Sequence, residues 1–193
     1  MSVITLVGYR GTGKSSVAPL LAAALNWHWV DSDVEIESYA GCSIRRIFET
    51  RGESTFRELE RKTMASLLGE SRLVIAAGGG AVLDPTTRSL MSAAGPVVWL
   101  RARVQTIAQR LAHDTTTAAL RPALSGSDPI EEIGTILRQR VPLYEQVATF
   151  AVDTDERSVE EVVEEILLRL KRSGVFEPSV WSGPLPNPLP PRR

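Results

Sequence analysis

The stretch Gly8–Ser15 has the residue types and spacing that most directly indicate chemistry. It reads GYRGTGKS and fits the pattern G-x-x-x-x-G-K-[ST] at every fixed position. An apolar run at Val3–Val7 precedes it and a helical pattern from Ser15 to Leu25 follows, as a strand, loop and helix would. The N–H groups of a glycine-rich loop at a helix start converge on an anion. The stretch, called the phosphate loop below, therefore predicts a nucleotide phosphate site.

Two side chains of the phosphate loop have specific predicted roles. Lys14 places a positive charge toward the β- and γ-phosphates, and the Ser15 hydroxyl is a ligand for Mg²⁺. A glycine-rich turn that fits the pattern by accident is the alternative, and the flanking strand and helix patterns argue against it. The residues assigned to the nucleotide here are Gly11, Thr12, Gly13, Lys14, Ser15 and Ser16.

Two carboxylates, Asp31 and Asp33, end the second predicted strand beside this loop. Ligands of open α/β sheets bind at that edge. We assign Asp31 to Mg²⁺, through water, and Asp33 to an acceptor hydroxyl as general base. The alternative is that Asp33 only caps the helix predicted at Val34–Tyr39.

Two further segments predict an acceptor site. Arg57 and Glu60 share a face of a helix that runs to about Leu68, so Glu60 can hold Arg57 for bidentate capture of a carboxylate. Such pairs are also common as solvated surface pairs. Gly78–Gly80, directly after the third predicted strand, indicates that a ligand or another group approaches the backbone closely, although a permissive turn is the alternative.

A polar segment at 112–126 lies between two predicted helices and is longer than most connections, which favours a lid over a mobile surface loop. Arg121 in this lid is assigned to charge stabilisation at the transferred phosphoryl group. Arg140 is a second candidate contact for an anion, whereas Arg110 and Arg138 are left as surface charges.

Apolar runs alternate with helical patterns five times, which predicts an α/β fold with a five-stranded parallel sheet covered on both faces. Helix starts are marked at Asp84-Pro85, at Asp128-Pro129 and by a capping box at Ser158. The predicted strands are Val3–Val7, His28–Asp31, Leu73–Ala76, Val97–Arg101 and Phe150–Val152.

The composition predicts one globular domain at 1–172, with the lid at about 112–126, and an extended, disordered tail at 173–193. Hydrophobic residues make up 43% of the chain and charged residues 23%, as in soluble proteins with a full core. Six of the twelve prolines lie in Pro178–Pro191, where a ligand for a proline-recognising partner is the alternative to a dispensable appendage.

The net charge and the N-terminal residues limit which partners and which cellular compartment we predict. The net charge of −1 predicts no attraction to nucleic acid or to an anionic membrane, and the single cysteine, Cys42, excludes an intrachain disulfide. We expect no signal peptide and no membrane helix, and hence a cytoplasmic protein. We also expect a monomer.

Taken together, these motifs resemble the shikimate kinase family over about residues 2–170. The family folds like the nucleoside monophosphate kinases, with three α/β/α layers. The resemblance implies transfer of the γ-phosphate of ATP to the 3-hydroxyl of shikimate, with Mg²⁺ as cofactor, in chorismate and aromatic amino-acid biosynthesis. The motifs that carry it are Gly8–Ser15, Asp31-Ser32-Asp33, Phe56-Arg57-x-x-Glu60, Gly78–Gly80, Arg121-Pro122 and Arg140-x-x-x-Tyr144.

The resemblance also implies residue roles. It brings Arg121 from the lid onto ATP and makes Arg157 the match to the basic residue beside adenine, although the surrounding loop, 153–158, is acidic. The lid departs from the family in having Ala123-Leu124 after Arg-Pro, and the family has no counterpart to the tail. The residues implied for shikimate are Asp33, Arg57, Gly79, Gly80 and Arg140.

Three other functions remain open on the sequence. A kinase for another small carboxylated polyol, such as gluconate, would use the same phosphate loop. A nucleoside monophosphate kinase would have to accommodate a second base. A non-catalytic ATP-binding regulatory protein would need neither Asp33 nor an arginine in the lid.

Overall fold

Five parallel strands form one sheet in this protein, whose computed structural model describes residues 3–113, 129–173, 185–188 and 190–191. The strands are β1 (Val3–Val7), β2 (His28–Asp31), β3 (Leu73–Ala76), β4 (Val97–Arg101) and β5 (Phe150–Asp153). Across the sheet the order is β2-β3-β1-β4-β5, and each neighbouring pair runs parallel. The five predicted strands are confirmed, and β5 is one residue longer than expected.

Seven α-helices lie within the described ranges, and one short 3₁₀ turn, Ala81–Leu83, follows β3. The longest helix, α3 (Ile44–Leu68), is broken at Gly52, whose φ of 79° and ψ of 169° are not helical. Arg57 and Glu60 therefore lie in a second helical section that begins after this kink. The helices are α1 (Lys14–Leu25), α2 (Ser32–Ala40), α3 (Ile44–Leu68), α4 (Pro85–Ala94), α5 (Val104–His113), α6 (Pro129–Val147) and α7 (Val159–Arg172).

The core has two layers of apolar side chains, one on each face of the sheet. On one face, α1 and α7 pack against alternate strand residues such as Ile4 and Leu6. On the other face, α3, α4 and α6 pack against residues such as Val3 and Ile75. Because the strands are covered on both faces, they are apolar runs rather than alternating ones. The predicted three-layer α/β/α fold is confirmed.

Local capping chemistry sets several helix starts as predicted. The Asp84 carboxylate accepts a hydrogen bond from Thr87 N at 2.7 Å, with Pro85 as the first residue of α4. Ser158 and Glu161 form both bonds of the capping box of α7. Asp128 lies outside the described residues. The cap of α2 is Asp31, whose carboxylate accepts from Asp33 N at 3.0 Å. Asp33 is thus not the cap that the alternative interpretation required.

Two regions with predicted boundaries are described only in part. Residues 114–128, which include most of the expected lid, lie outside the described residues. In the proline-rich segment, Leu185 is partly buried and packs against the cluster under α1 and α7. Within the described ranges, no helix combines the length and the apolar character needed to cross a membrane.

Candidate active site

The phosphate loop leaves β1 and enters α1 through a backbone that only glycine adopts easily. Gly13, the residue before α1, has a φ of 93°, and a Cβ built there would have no heavy atom within 4 Å. Because there is open space beside Gly13, its positive φ, and not a steric contact, is what favours glycine at this position. At Gly8, by contrast, an added Cβ would lie 2.5 Å from Leu100 O. The loop is pressed against β4 at one end and open at the other.

Lys14 is folded back over the loop. Its ammonium group donates to Gly8 O at 2.8 Å and to Tyr9 O at 2.9 Å, and the residue is only 9% exposed. Thr12 Oγ1 also donates to Tyr9 O, at 2.7 Å. These bonds hold the predicted phosphate-binding charge directly above the loop that it is expected to serve.

Ser15 and Asp31, the predicted ligands of Mg²⁺, meet across the sheet edge. Ser15 Oγ donates to Asp31 Oδ2 at 2.7 Å, while the other carboxylate oxygen caps α2. Both side chains supply oxygen ligands of the kind that Mg²⁺ prefers. This chemistry fits the cation that the sequence predicts.

The three glycines Gly78–Gly80 bring the predicted acceptor residues together. A Cβ at Gly78 would overlap Asp33 Oδ1, and one at Gly80 would overlap Arg57 Nη1. A Cβ at Gly79 would lie 3.5 Å from Arg140 Nη1 and 3.7 Å from Gly8 O of the phosphate loop. Asp33 and Arg57 thus lie directly against this turn, and a larger residue at Gly78 or Gly80 would require their side chains to move.

Arg57 is held as a cation by two carboxylates. Its Nη1 donates to Glu60 Oε2 at 2.8 Å, and its Nη2 donates to Glu53 Oε1 at 3.1 Å. Burial acts to lower the pKa of Arg57, but the hydrogen bonds and charges of Glu60 and Glu53 outweigh it, so the pKa is raised. Glu60 is 5% exposed, so this pair is unlike the solvated surface pairs of most helices.

Arg140 reaches the same turn from α6. Its Nη1 donates to Gly79 O at 2.8 Å, and its guanidinium carbon lies 5.8 Å from the centre of the Tyr9 ring. Arg10 lies 5.9 Å from the same ring, and its buried Nε has no hydrogen-bond partner among the described residues. Two arginines thus contact one aromatic ring between the phosphate loop and the glycine turn.

A cavity of about 300 Å³ opens between the phosphate loop and the start of α7. Arg157, which the resemblance implies for the nucleotide base, lines it. Arg110, which the sequence left as a surface charge, also lines it and bridges two walls. Its Nη1 donates to Gly11 O at 3.2 Å, and its Nη2 donates to Thr154 O at 2.7 Å. No sequence motif includes Arg110, because the residues to which it bonds are far away in the sequence.

Two arginines offset the acidity of the loop that follows β5. Arg101 makes two hydrogen bonds to Asp153, both at 2.8 Å, and Arg103 pairs with Glu156. Burial acts to raise the pKa of Asp155, but hydrogen bonds from Thr106 and Arg103 lower it. Because these carboxylates are paired with arginines, the acidic loop would repel a polyanionic nucleotide less than its sequence suggests.

The structure brings together most of the predicted site. Arg121, assigned to the lid, lies outside the described residues. Ser32, Arg110 and Tyr144 are contacts of the site to which the sequence assigned no role. Ser32 and Tyr144 belong to motifs quoted for the resemblance, but the residues they bond to are distant in the sequence. Thr12, Gly13 and Ser16 line the same cavity as Arg157.

Comparison with known proteins identifies the family of this chain. The model of the shikimate kinase family matches residues 10–171. A shikimate kinase from Syntrophus aciditrophicus is 42% identical over 176 residues, which cover 87% of this chain and 90% of the relative. A shikimate kinase from Thermus thermophilus is 41% identical over 169 residues, covering 88% of this chain and 90% of the relative.

A solved structure agrees with this similarity. Shikimate kinase from Acinetobacter baumannii, in complex with shikimate, superposes with a TM-score of 0.83 at 33% identity. The alignment covers 91% of this chain and 96% of that one. The similarity therefore spans the sheet, the phosphate loop and the glycine turn together.

Proposed function

The chain belongs to the shikimate kinase family, and we propose that it transfers the γ-phosphoryl group of ATP to the 3-hydroxyl of shikimate. The products are shikimate 3-phosphate and ADP, in aromatic amino-acid biosynthesis through chorismate. One observation supports this function best: Asp33, Arg57 and Arg140 meet around a glycine turn that adjoins the phosphate loop. Donor and acceptor sites are therefore neighbours.

The acceptor's carboxylate is assigned to the two arginines. Guanidinium groups bind carboxylates through paired hydrogen bonds, and Arg57 is already oriented by Glu53 and Glu60. The N–H groups of Gly79 and Gly80 are additional donors to the acceptor. Asp33, which lies against Gly78, is assigned to the reacting hydroxyl.

The nucleotide is assigned to the phosphate loop and the adjoining cavity. Gly11 to Ser16 surround its phosphates, with Lys14 turning from Gly8 O and Tyr9 O toward them. Arg157 and Arg110, on the cavity wall, are assigned to the adenosine end. Arg121 reaches the nucleotide from the lid at about 112–126.

Mg²⁺ is the cofactor proposed here, held by Ser15 and, through water, by Asp31. When bound with ATP, such a cation neutralises charge on the β- and γ-phosphates. Ser15 and Asp31 fit it because their oxygens already share one hydrogen bond at the helix start.

The proposed mechanism is an in-line displacement. The acceptor oxygen forms a bond to the γ-phosphorus as the bond from that phosphorus to the bridging oxygen of ADP breaks, and Asp33 takes the hydroxyl proton. Lys14 and Arg121 stabilise the negative charge of the transferred group. Because the transition state is loose, positioning and charge neutralisation supply most of the acceleration.

We also propose that the protein acts as a monomer in the cytoplasm, where ATP is available, with residues 1–172 as its catalytic unit. Size-exclusion chromatography with light scattering tests the monomer directly. A dimer mass at assay concentrations would contradict it.

The function is tested by measuring ADP formation with Mg²⁺ and ATP while the acceptor is varied. The acceptors are shikimate, gluconate, a nucleoside monophosphate and none. We expect ADP release with shikimate alone, with shikimate 3-phosphate identified by mass spectrometry. Release with gluconate instead would overturn the assignment of Arg57 and Arg140, and release without any acceptor would favour the regulatory alternative.

Two variants make this test specific to the site. Asp33→Asn should lower turnover by at least ~10²-fold, because the general base is lost, while ATP binding by calorimetry stays unchanged. Arg138→Ala is the matched control for Arg140→Ala, because Arg138 is exposed on the same helix and, among the described residues, donates to Thr135 of that helix rather than to the glycine turn. Only Arg140→Ala should raise the KM for shikimate.

A further inference from the structure

The backbone of the turn Gly78–Gly80 is held by two buried hydroxyl groups. Gly78 N donates to Ser32 Oγ at 2.8 Å, and Ser32 is fully buried between the two site aspartates. Tyr144 OH donates to Gly79 O at 3.1 Å from α6, and Tyr144 is fully buried as well. Neither hydroxyl belongs to the residues assigned to ATP, shikimate or Mg²⁺.

Three successive glycines need such anchors. Glycine populates positive and negative φ about equally, so a run of three has no preferred backbone of its own. Tyr144 is itself fixed, because its ring stacks on Trp99 with a centroid distance of 5.6 Å. Its hydroxyl therefore holds the turn at a fixed position relative to the sheet and α6.

Because a peptide group is planar, the hydrogen bond from Tyr144 to Gly79 O also affects the direction of the next N–H group. Gly79 C=O and Gly80 N–H belong to one planar trans peptide and point in opposite directions. Tyr144 and Arg140 both donate to Gly79 O, at 3.1 Å and 2.8 Å, so they also set the direction of Gly80 N–H. Within the described ranges, the N–H groups of Gly79 and Gly80 have no acceptor, whereas Ala81 N and Leu83 N close the turn behind them.

We propose that Ser32 and Tyr144 are positioning residues for the acceptor. Resting on the proposed function, this inference adds that their hydroxyls aim the N–H groups of Gly79 and Gly80 at shikimate. They also keep the turn where Asp33, Arg57 and Arg140 lie against it. Both hydroxyls bond directly to the turn on the acceptor side, so we expect their loss to act mainly on the binding of shikimate.

The test is steady-state kinetics of Tyr144→Phe and Ser32→Ala with each substrate varied. Tyr144→Phe keeps the ring and removes one bond, so we expect the KM for shikimate to rise about 3- to 10-fold. Ser32→Ala leaves a buried N–H without its acceptor, and a rise of about 10-fold or more is expected. The KM for ATP should change by less than ~2-fold in both. Ser32→Thr retains the hydroxyl and should restore most of the affinity.

Val147→Ala is the matched control, because Val147 is buried on the same helix and in the same cluster as Tyr144 but makes no hydrogen bond to the turn. It should lower the melting temperature without changing the KM for shikimate. Equal changes in both KM values, or a rise in KM with Val147→Ala as large as with Tyr144→Phe, would overturn the inference. Absence of shikimate phosphorylation by the unaltered protein would instead overturn the proposed function.

Discussion

At Gly80 a single added methyl group would occupy the space of the Arg57 guanidinium. The arginine is already bound to Glu60 and Glu53, so it has little freedom to move aside. Its raised pKa keeps it charged at any physiological pH. The capacity of this residue to bind a carboxylate therefore depends on its neighbours as much as on its own chemistry.

The buried phenol of Tyr144 should make the free energy of unfolding depend on pH. Burial raises the pKa of its phenol from 10.0 to about 12, although the charge of Arg140 acts to lower it. The neutral phenol is thus favoured in the folded state, and its contribution is full below pH 10 and lost as pH rises through 12. Between pH ~9 and ~11.5 the protein should therefore lose about 2 kcal/mol more in its free energy of unfolding than Tyr144→Phe does.

Urea denaturation of the two proteins at pH ~9 and ~11.5 measures this difference, and groups common to both cancel in the comparison. Parallel losses in both proteins would contradict the role assigned to burial at Tyr144. Tyr39→Phe is the control, because Tyr39 is 75% exposed and its removal should leave the pH dependence unchanged.

Among the elements, α3 owes its shape to one glycine. Gly52 has a φ of 79° and a ψ of 169°, and the helical section after it carries Arg57. A Cβ at Gly52 would meet no atom within 4 Å, so only the backbone angles oppose a larger residue. The helical pattern of the sequence predicted the section that ends near Leu68, but it did not reveal the kink.

Gly52→Ala should lower the free energy of unfolding by about 1–3 kcal/mol, because alanine resists this backbone conformation. The KM for shikimate should rise as well, since straightening α3 would displace Arg57. Chemical denaturation and kinetics measure the two effects. Gly69→Ala is the control, because Gly69 ends the same helix with a φ of −80° that alanine adopts freely. Equal stabilities of the two variants would show that the kink is not strained for alanine.

On the scale of the whole molecule, the carboxyl ends of β1, β2 and β3 bring the phosphate loop, the two aspartates and the glycine turn to one edge. Parallel strands connected by helices necessarily place those ends together. The proline-rich segment adds a contact on the sheet face under α1 and α7, where Leu185 packs.

Removal of residues 174–193 should therefore lower the free energy of unfolding by about 1–2 kcal/mol, the value of burying part of one leucine. Both KM values should stay unchanged, because Leu185 does not line the nucleotide cavity in the described part of the chain and lies away from the glycine turn. Leu185→Ala in the full chain should reproduce most of the loss, and Pro188→Ala, at an exposed position, should not. A truncated protein as stable as the full chain would support the dispensable tail that the composition predicts.

The sequence by itself determined the strands, the phosphate loop, the caps at Asp84 and Ser158 and the family resemblance. Each of these depends on residues close together in the chain, such as apolar runs or a carboxylate beside free N–H groups. The same local information predicted Asp33, Arg57 and Arg140 as site residues, because each belongs to a recognisable motif.

Only the tertiary structure decided which side chains anchor the site. Ser32 bonds to Gly78 across 46 positions, Tyr144 to Gly79 across 65, and Arg110 to Gly11 across 99. Ser32 and Tyr144 stand in motifs that the sequence shows, but no local pattern identifies the residues to which they or Arg110 bond. Their roles arise from the packing of helices on the sheet, which brings distant segments within hydrogen-bond range and buries the groups that meet there.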